Sequence, residues 1–159
     1  MATWLDLAVD RPDVAEAGRA LFYQHGVGLA FLATVGRLGH PRVHPICPLL
    51  DGTGLYAFIV PSPKQNDLLR DGMYALHSFP CQNSEDAFYL RGYAEPVDDE
   101  GEREMLAAQF VAERVRFHVT PPSERDVLFE FEFDTCMLTR TEGHGDPLSD
   151  QVIWHGHSA

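Results

Sequence analysis

The chain has 159 residues, with 24 acidic against 12 basic side chains and a formal net charge of −12. That length fits one domain, and folding should bury on the order of 70% of the extended chain's surface, so no disulfide staple is needed. The acidity excludes a duplex-binding protein, which needs a basic footprint to displace counterions, and it isolates one cation type: a single lysine, Lys64.

In chain order, Val14, Ala17, Gly18, Leu21 and Phe22 recur at helical spacing, with Pro12 in the first turn and Gly26 past the end. This predicts an amphipathic helix over 12–25. Residues 28–35 (GLAFLATV) are apolar and break at Gly36 and Gly39, which predicts a strand. Residues 41–50 (PRVHPICPLL) are β-branched and apolar but carry three prolines, so they read as an edge or bulged strand. The Asp51-Gly52 turn then leads into a strand over 53–60, predicted to form a hairpin with the strand before it. A short helix over 63–70 ends at Asp71-Gly72, and strands follow over 73–79 and 87–97. Residues 98–116 read as a helix, with Asp99 and Glu102 at capping-box spacing. In 127–139, Phe129, Phe131 and Phe133 alternate with Glu130, Glu132 and Asp134, the pattern of a strand with one face on a core. Six strands, mostly linked by turns, with three helices predict a mainly β (α+β) fold: a small antiparallel barrel with helices outside it. A core over 14–140 and a tail over 141–159 complete one domain spanning 1–159.

Cys47, Cys81 and Cys136 are an odd set without CxxC spacing, which argues against a disulfide framework and a zinc ribbon and suggests a reduced, cytoplasmic compartment. No signal-peptide pattern and no run of 18 apolar residues is present, so no membrane partner is expected. None of the eight histidines has HExxH spacing. His155 and His157 could hold a metal loosely but read more simply as a polar tail. GxSxG is absent, and Gly26-Val27-Gly28 lacks the third glycine of a dinucleotide fingerprint. The run Asp98, Asp99, Glu100, Glu102 and Glu104 suits a helix N-terminus.

The most informative local feature is Ser62-Pro63-Lys64. Serine at the N-cap and proline at the first helical position start a helix directly after an apolar strand. A lysine in that first turn opposes the helix dipole, unless an anion lies between them. Arg42 and His44 share one strand face by the two-residue period and could reach such an anion, or could be a solvent-facing pair.

The order of segments resembles the pyridoxamine 5′-phosphate oxidase-like, FMN-binding split β-barrel family. The resemblance rests on ATVGRLGHP followed by Arg42-Val43-His44-Pro45-Ile46, and on a strand running into Ser62-Pro63-Lys64. It continues through Asp67-Leu68-Leu69-Arg70-Asp71-Gly72, Tyr74-Ala75-Leu76-His77, Tyr89-Leu90-Arg91-Gly92 and the Phe/Glu-alternating strand, covering about residues 14–140. It implies a six-stranded antiparallel split barrel with about three peripheral helices, and a homodimer with flavin sites at the interface. It further implies that Arg42 and Lys64 pair with the cofactor phosphate and that Ser62 donates a hydrogen bond to it. His44, Pro45 and Ile46 would line the ring system, Val60 would pass beneath the ribityl chain, Arg91 would lie near the ring edge, and Trp154 would be the aromatic from the C-terminal segment. The implied function is an FMN-dependent oxidoreductase acting on a small-molecule substrate or electron acceptor, with no nucleic-acid partner. The deazaflavin F420 is the alternative cofactor, and a non-catalytic flavin or haem module, with His44 or His77 as ligand, is the other reading. Two departures stand out. Pro63 occupies the place where pyridoxamine phosphate oxidases carry arginine, and 151–159 lacks their substrate-gripping Arg and His motif, so pyridoxal chemistry is not implied.

Overall fold

The computed structural model describes residues 1–156. It opens with a helix that periodicity did not reveal, α1 (Trp4–Asp10), because seven residues carry less than two turns of pattern. Reciprocal caps define its start: Asp6 N–H donates to Thr3 Oγ1 at 3.3 Å and Thr3 N–H donates to the Asp6 carboxylate at 2.7 Å. The predicted first helix is α2 (Pro12–Phe22), and it ends three residues early, at the Tyr23 cap. Next come β1 (Ala30–Val35), β2 (Pro41–Ile46), β3 (Leu49–Leu50), β4 (Leu55–Ile59), α3 (Pro63–Asp71), β5 (Met73–Ser78) and β6 (Ala87–Pro96). The chain continues through α4 (Glu100–Glu113), a 3-10 turn (Val115–Phe117), β7 (Val127–Arg140) and β8 (Asp150–His155).

Every strand pairing is antiparallel, in the order β2-β1-β5-β6-β7-β4-β3, with β8 also on β7. The fold class is as expected, a mostly antiparallel α+β half-barrel, but with eight strands in place of six and four α-helices in place of three among the described residues. The stretch 41–50 is two strands. Pro41–Ile46 pairs with β1 at one edge, and only Leu49–Leu50 makes the hairpin with β4. Proline explains the split: Pro48 has no N–H to offer a ladder and sits at the break.

That break also determines the shape. β2 and β3 end opposite sides of the sheet, yet only Cys47 and Pro48 separate them. Three Cα steps cover at most about 11 Å, whereas seven flat strands would be about 29 Å wide, so the sheet must curl until its ends meet. Gly28 makes the seam possible, since a Cβ there would lie 2.0 Å from the Pro48 carbonyl oxygen. A second bend comes at a bulge between β6 and β7, where Asp134 is the extra residue beside Gly92. A Cβ on Gly92 would meet the Glu132 carbonyl oxygen at 2.1 Å.

The inner face carries the core. The Phe/Glu alternation buries Phe129, Phe131 and Phe133 as expected. The core also reaches past 14–140 at both ends, because Trp4 of α1 and Trp154 of β8 pack with Phe22, Phe88 and Phe133. His155, expected in a polar tail, is a strand residue paired with Thr135, while His157 lies outside the described residues.

Candidate functional site

Ser62 is the N-cap of α3 with Pro63 at the first helical position, and its Oγ accepts from the Gln65 N–H at 3.4 Å. The same hydroxyl donates to the Val60 carbonyl at 2.7 Å, so its proton is already committed within the loop. Lys64 follows in the first turn, half-buried, with no ion pair or hydrogen bond among the described residues. No acidic residue sits in that turn to neutralise it. Val60, at the end of the preceding strand, is 51% exposed.

One helical turn beyond Lys64, on the same face by i,i+3 spacing, is Asp67. The residue is 4% exposed, and its carboxylate joins three elements. Thr34 of β1 donates to Oδ2 at 2.9 Å, Arg42 of β2 donates through Nε to the same oxygen at 3.0 Å, and Arg70 of α3 donates to Oδ1 at 3.1 Å. Arg70 also reaches Asp71 at 2.8 Å and the Val35 carbonyl. Burial pushes the Asp67 carboxyl up, but the hydrogen bonds from Thr34 and Arg70 and the charges of Arg42 and Arg70 outweigh it and hold it below its ordinary value. Asp67, Thr34 and Arg70 are the residues sequence reasoning left without a role. The available signal was a carboxylate beside buried Leu68 on a nine-residue helix, where an unpaired charge is costly.

Arg42, on β2, is thus tied to α3 at Asp67, three residues after Lys64 in the same helix. The other expected residues distribute as follows. His44 is half-buried opposite Leu32, Ile46 is buried opposite Ala30, and Pro45 is exposed on the other face of β2. Arg91 lies on that other face too. The register Arg42–Thr34–Tyr74–Gly92 runs along the inner face, and Val43–Ala33–Ala75–Arg91 along the outer, so Arg42 and Arg91 project from opposite sides of one sheet. Arg91 pairs with Asp134 at 3.3 Å and borders a shallow 220 Å³ cleft with Ala33, Ala75 and Tyr89.

Trp154 is 6% exposed, donates through Nε1 to Asp10 at 2.6 Å, and packs edge-on against Phe133 at 5.8 Å, so its indole forms part of the core.

The donor set fits a phosphate: a lysine unpaired among the described residues, an arginine whose terminal nitrogens take no partner among them, and a helix N-terminus. Among the described residues no group of three or more His, Cys, Asp or Glu could hold a metal, and the three thiols are unpaired. Among the described residues no helix is long and apolar enough to cross a membrane.

No protein-family model and no curated protein matches the sequence. Solved structures do. A heme binding protein from Mycobacterium smegmatis superposes with a TM-score of 0.60 at 17% identity over 86% of this chain, which spans 57% of that protein's length. General Stress Protein 26 from Bacillus anthracis gives 0.60 at 18% identity, covering 77% of this chain and 91% of its own. A Clostridium acetobutylicum protein related to general stress protein 26, of the pyridoxinephosphate oxidase family, gives 0.58 at 14% identity, covering 95% of each chain. This chain therefore has the split-barrel fold of the pyridoxamine 5′-phosphate oxidase-like proteins.

Proposed function

We propose that this chain is a cytoplasmic, homodimeric oxidoreductase that binds FMN between two copies and acts on a small-molecule substrate or electron acceptor. The observation that carries this reading is Lys64. The only lysine of a −12 chain stands unpaired, among the described residues, in the first turn of α3, one turn from the point where Asp67 holds Arg42. A phosphate monoester supplies the missing charge. Bound flavin would supply the electron chemistry. The chain's own residues hold the phosphate through Lys64 and Arg42, and half-buried His44 lines the ring, while Ile46 packs in the core.

The opposed faces of Arg42 and Arg91 support the dimer. If both serve one ligand, Arg91 comes from the second copy. The outer face is suited to such contact: Pro45, Phe31, His77, Tyr89, Met137 and Ile153 form one register row across six strands. Exposed Val43, Met73 and Tyr93 widen that apolar surface.

Titrating purified protein with FMN and following flavin absorbance tests the reading. Binding tighter than ~100 μM, about −5.5 kcal/mol, is expected, and weaker binding of both FMN and F420 overturns it. Lys64→Ala should weaken FMN more than riboflavin, which lacks the phosphate. Equal losses would refute the anchor.

One observation favours a second reading, a haem-binding module. His77 Nδ1 lies 2.7 Å from the Ser78 carbonyl oxygen, which leaves Nε2 as the free nitrogen on the apolar outer face, between Phe31 and Tyr89. A solved protein of this fold binds heme. A Soret band on reconstitution that His77→Ala abolishes, with no flavin shift, would select it.

A further inference from the structure

Asp67 is placed where no ligand is needed to explain its burial but where its geometry limits one. Its Oδ2 takes the Nε–H of Arg42, the side of the guanidinium nearest the backbone. A guanidinium has five donors, and fixing Nε leaves the terminal edge, with its two nitrogens, as the presenting surface. Arg42 would otherwise be a long side chain on an edge strand, with rotamer entropy to lose on each binding event. Thr34 and Arg70 hold the carboxylate from two other directions, so its position is determined by β1 and α3 as well as β2. Gly36 completes the seat. A Cβ there would press on Arg42 Nη2 at 3.1 Å and on Nε at 3.3 Å.

We infer that Asp67 is a positioning residue: it aims the terminal edge of Arg42 at the anion held by Lys64 and so sets the chain's discrimination for a phosphorylated ligand over its dephosphorylated form. The inference rests on the phosphate-anchoring reading above and deepens it. Asp67 touches no ligand in this scheme and acts only through Arg42.

Two effects of removing the Asp67 charge oppose each other, and their signs differ. As a bare charge near the anion, Asp67 repels it, so Asp67→Asn would strengthen phosphate binding. As a positioning group, its loss frees Arg42 to swing into water, so the same change would weaken phosphate binding. The charge is already offset by Arg70, which pairs with Asp67 directly, so the positional effect dominates.

The test is the ratio of FMN to riboflavin affinity, measured by fluorescence titration of the intact protein. Asp67→Asn should lower that ratio about tenfold, the scale of one charge-assisted hydrogen bond. In an Arg42→Ala background the same substitution should leave the ratio unchanged, since there is nothing left to aim. A ratio that holds or rises in Asp67→Asn overturns the inference, and so does an equal fall in the Arg42→Ala background. If Asp67→Asn does not fold, Thr34→Val removes one of the carboxylate's three donors with little change of shape. It should lower the ratio about threefold, and an unchanged ratio there overturns the inference as well. A wild-type chain that binds FMN no more tightly than riboflavin defeats the anchoring reading itself, a result distinct from discrimination that survives in Asp67→Asn.

Discussion

Two side-chain clusters of this half-barrel are held by different forces. In one, Trp4, Phe22, Phe88, Phe133 and Trp154 meet edge-on or tilted, with centroids 5.5 to 6.5 Å apart and no ion pair among them. In the other, Thr34, Arg42, Asp67, Arg70 and Asp71 tie β1, β2 and α3 with charged hydrogen bonds. The aromatic cluster gains from burial, which is non-directional and insensitive to pH. The charged cluster gains little net energy and instead specifies position, because a buried carboxylate is tolerable only with its donors in place. A protein that must hold an anion needs the second kind of cluster where the anion goes and the first kind to stabilise the rest.

Four substitutions can break or sharpen this contrast. The largest effect belongs to the aromatic cluster. Phe88 is fully buried and packs on Phe22, Trp4 and Gly18, so Phe88→Ala should cost about 3–5 kcal/mol in urea unfolding, equally at pH 5 and pH 7. Asp67→Asn should cost less, about 1–2 kcal/mol at pH 7, because Arg42 and Arg70 are 44% and 34% exposed and water screens their share. This loss should depend on pH. A carboxyl held below its ordinary value in the fold stabilises above its unfolded value and stops doing so as pH falls through the lowered one. Wild type and Asp67→Asn should therefore converge in acid.

The third substitution has the opposite sign. Burial first, then the charges of Glu132, Glu102, Asp51 and Glu95, raise the carboxyl of Glu130, and Glu95 stands directly across the ladder from it. Its charged form is disfavoured in the fold, so the penalty grows as pH rises from the ordinary carboxyl value through the raised one and is complete above it. Glu130→Gln should stabilise by about 0.5 kcal/mol at pH 7, less at high salt, with no gain in acid. The smallest effect is at Tyr74, the cross-strand neighbour of Thr34, whose buried hydroxyl lacks a hydrogen-bond partner among the described residues. Tyr74→Phe should leave stability within about 0.5 kcal/mol of wild type or raise it slightly, and a loss above 1 kcal/mol in urea unfolding would expose a hidden partner for that oxygen.

The elements legible in advance were those with enough residues to show a period. The Phe129-Phe131-Phe133 alternation gave β7, and the Pro12 to Phe22 spacing gave α2. Ser62-Pro63 gave the start of α3 through cap chemistry that acts within one turn. What escaped lacked a readable pattern. The seven residues of α1 span under two turns, and β8 is polar at both ends (Asp150, Gln151, His155); both are held by the core they complete, where Trp4 and Trp154 each pack on Phe133. Of the candidate site, Lys64 and Arg42 were legible as cations in unusual places. Asp67 was not, because its importance depends on Thr34 and Arg42, 33 and 25 residues away.

The sequence by itself determined the local events: the strands within 28–35, 53–60, 73–79, 87–97 and 127–139, where α3 starts, that the chain is acidic, and that one lysine stands in a first helical turn. Each follows from interactions among residues a few positions apart. Only the tertiary structure decided that residues 41–50 divide between opposite edges of the sheet, that Arg42 and Arg91 face opposite sides, and that Trp154 seals the core. Those outcomes depend on the curl of the whole sheet, which is fixed by the short Cys47-Pro48 connection and the close backbone approaches at Gly28 and Gly92. Contacts of that range leave no period in the sequence to read.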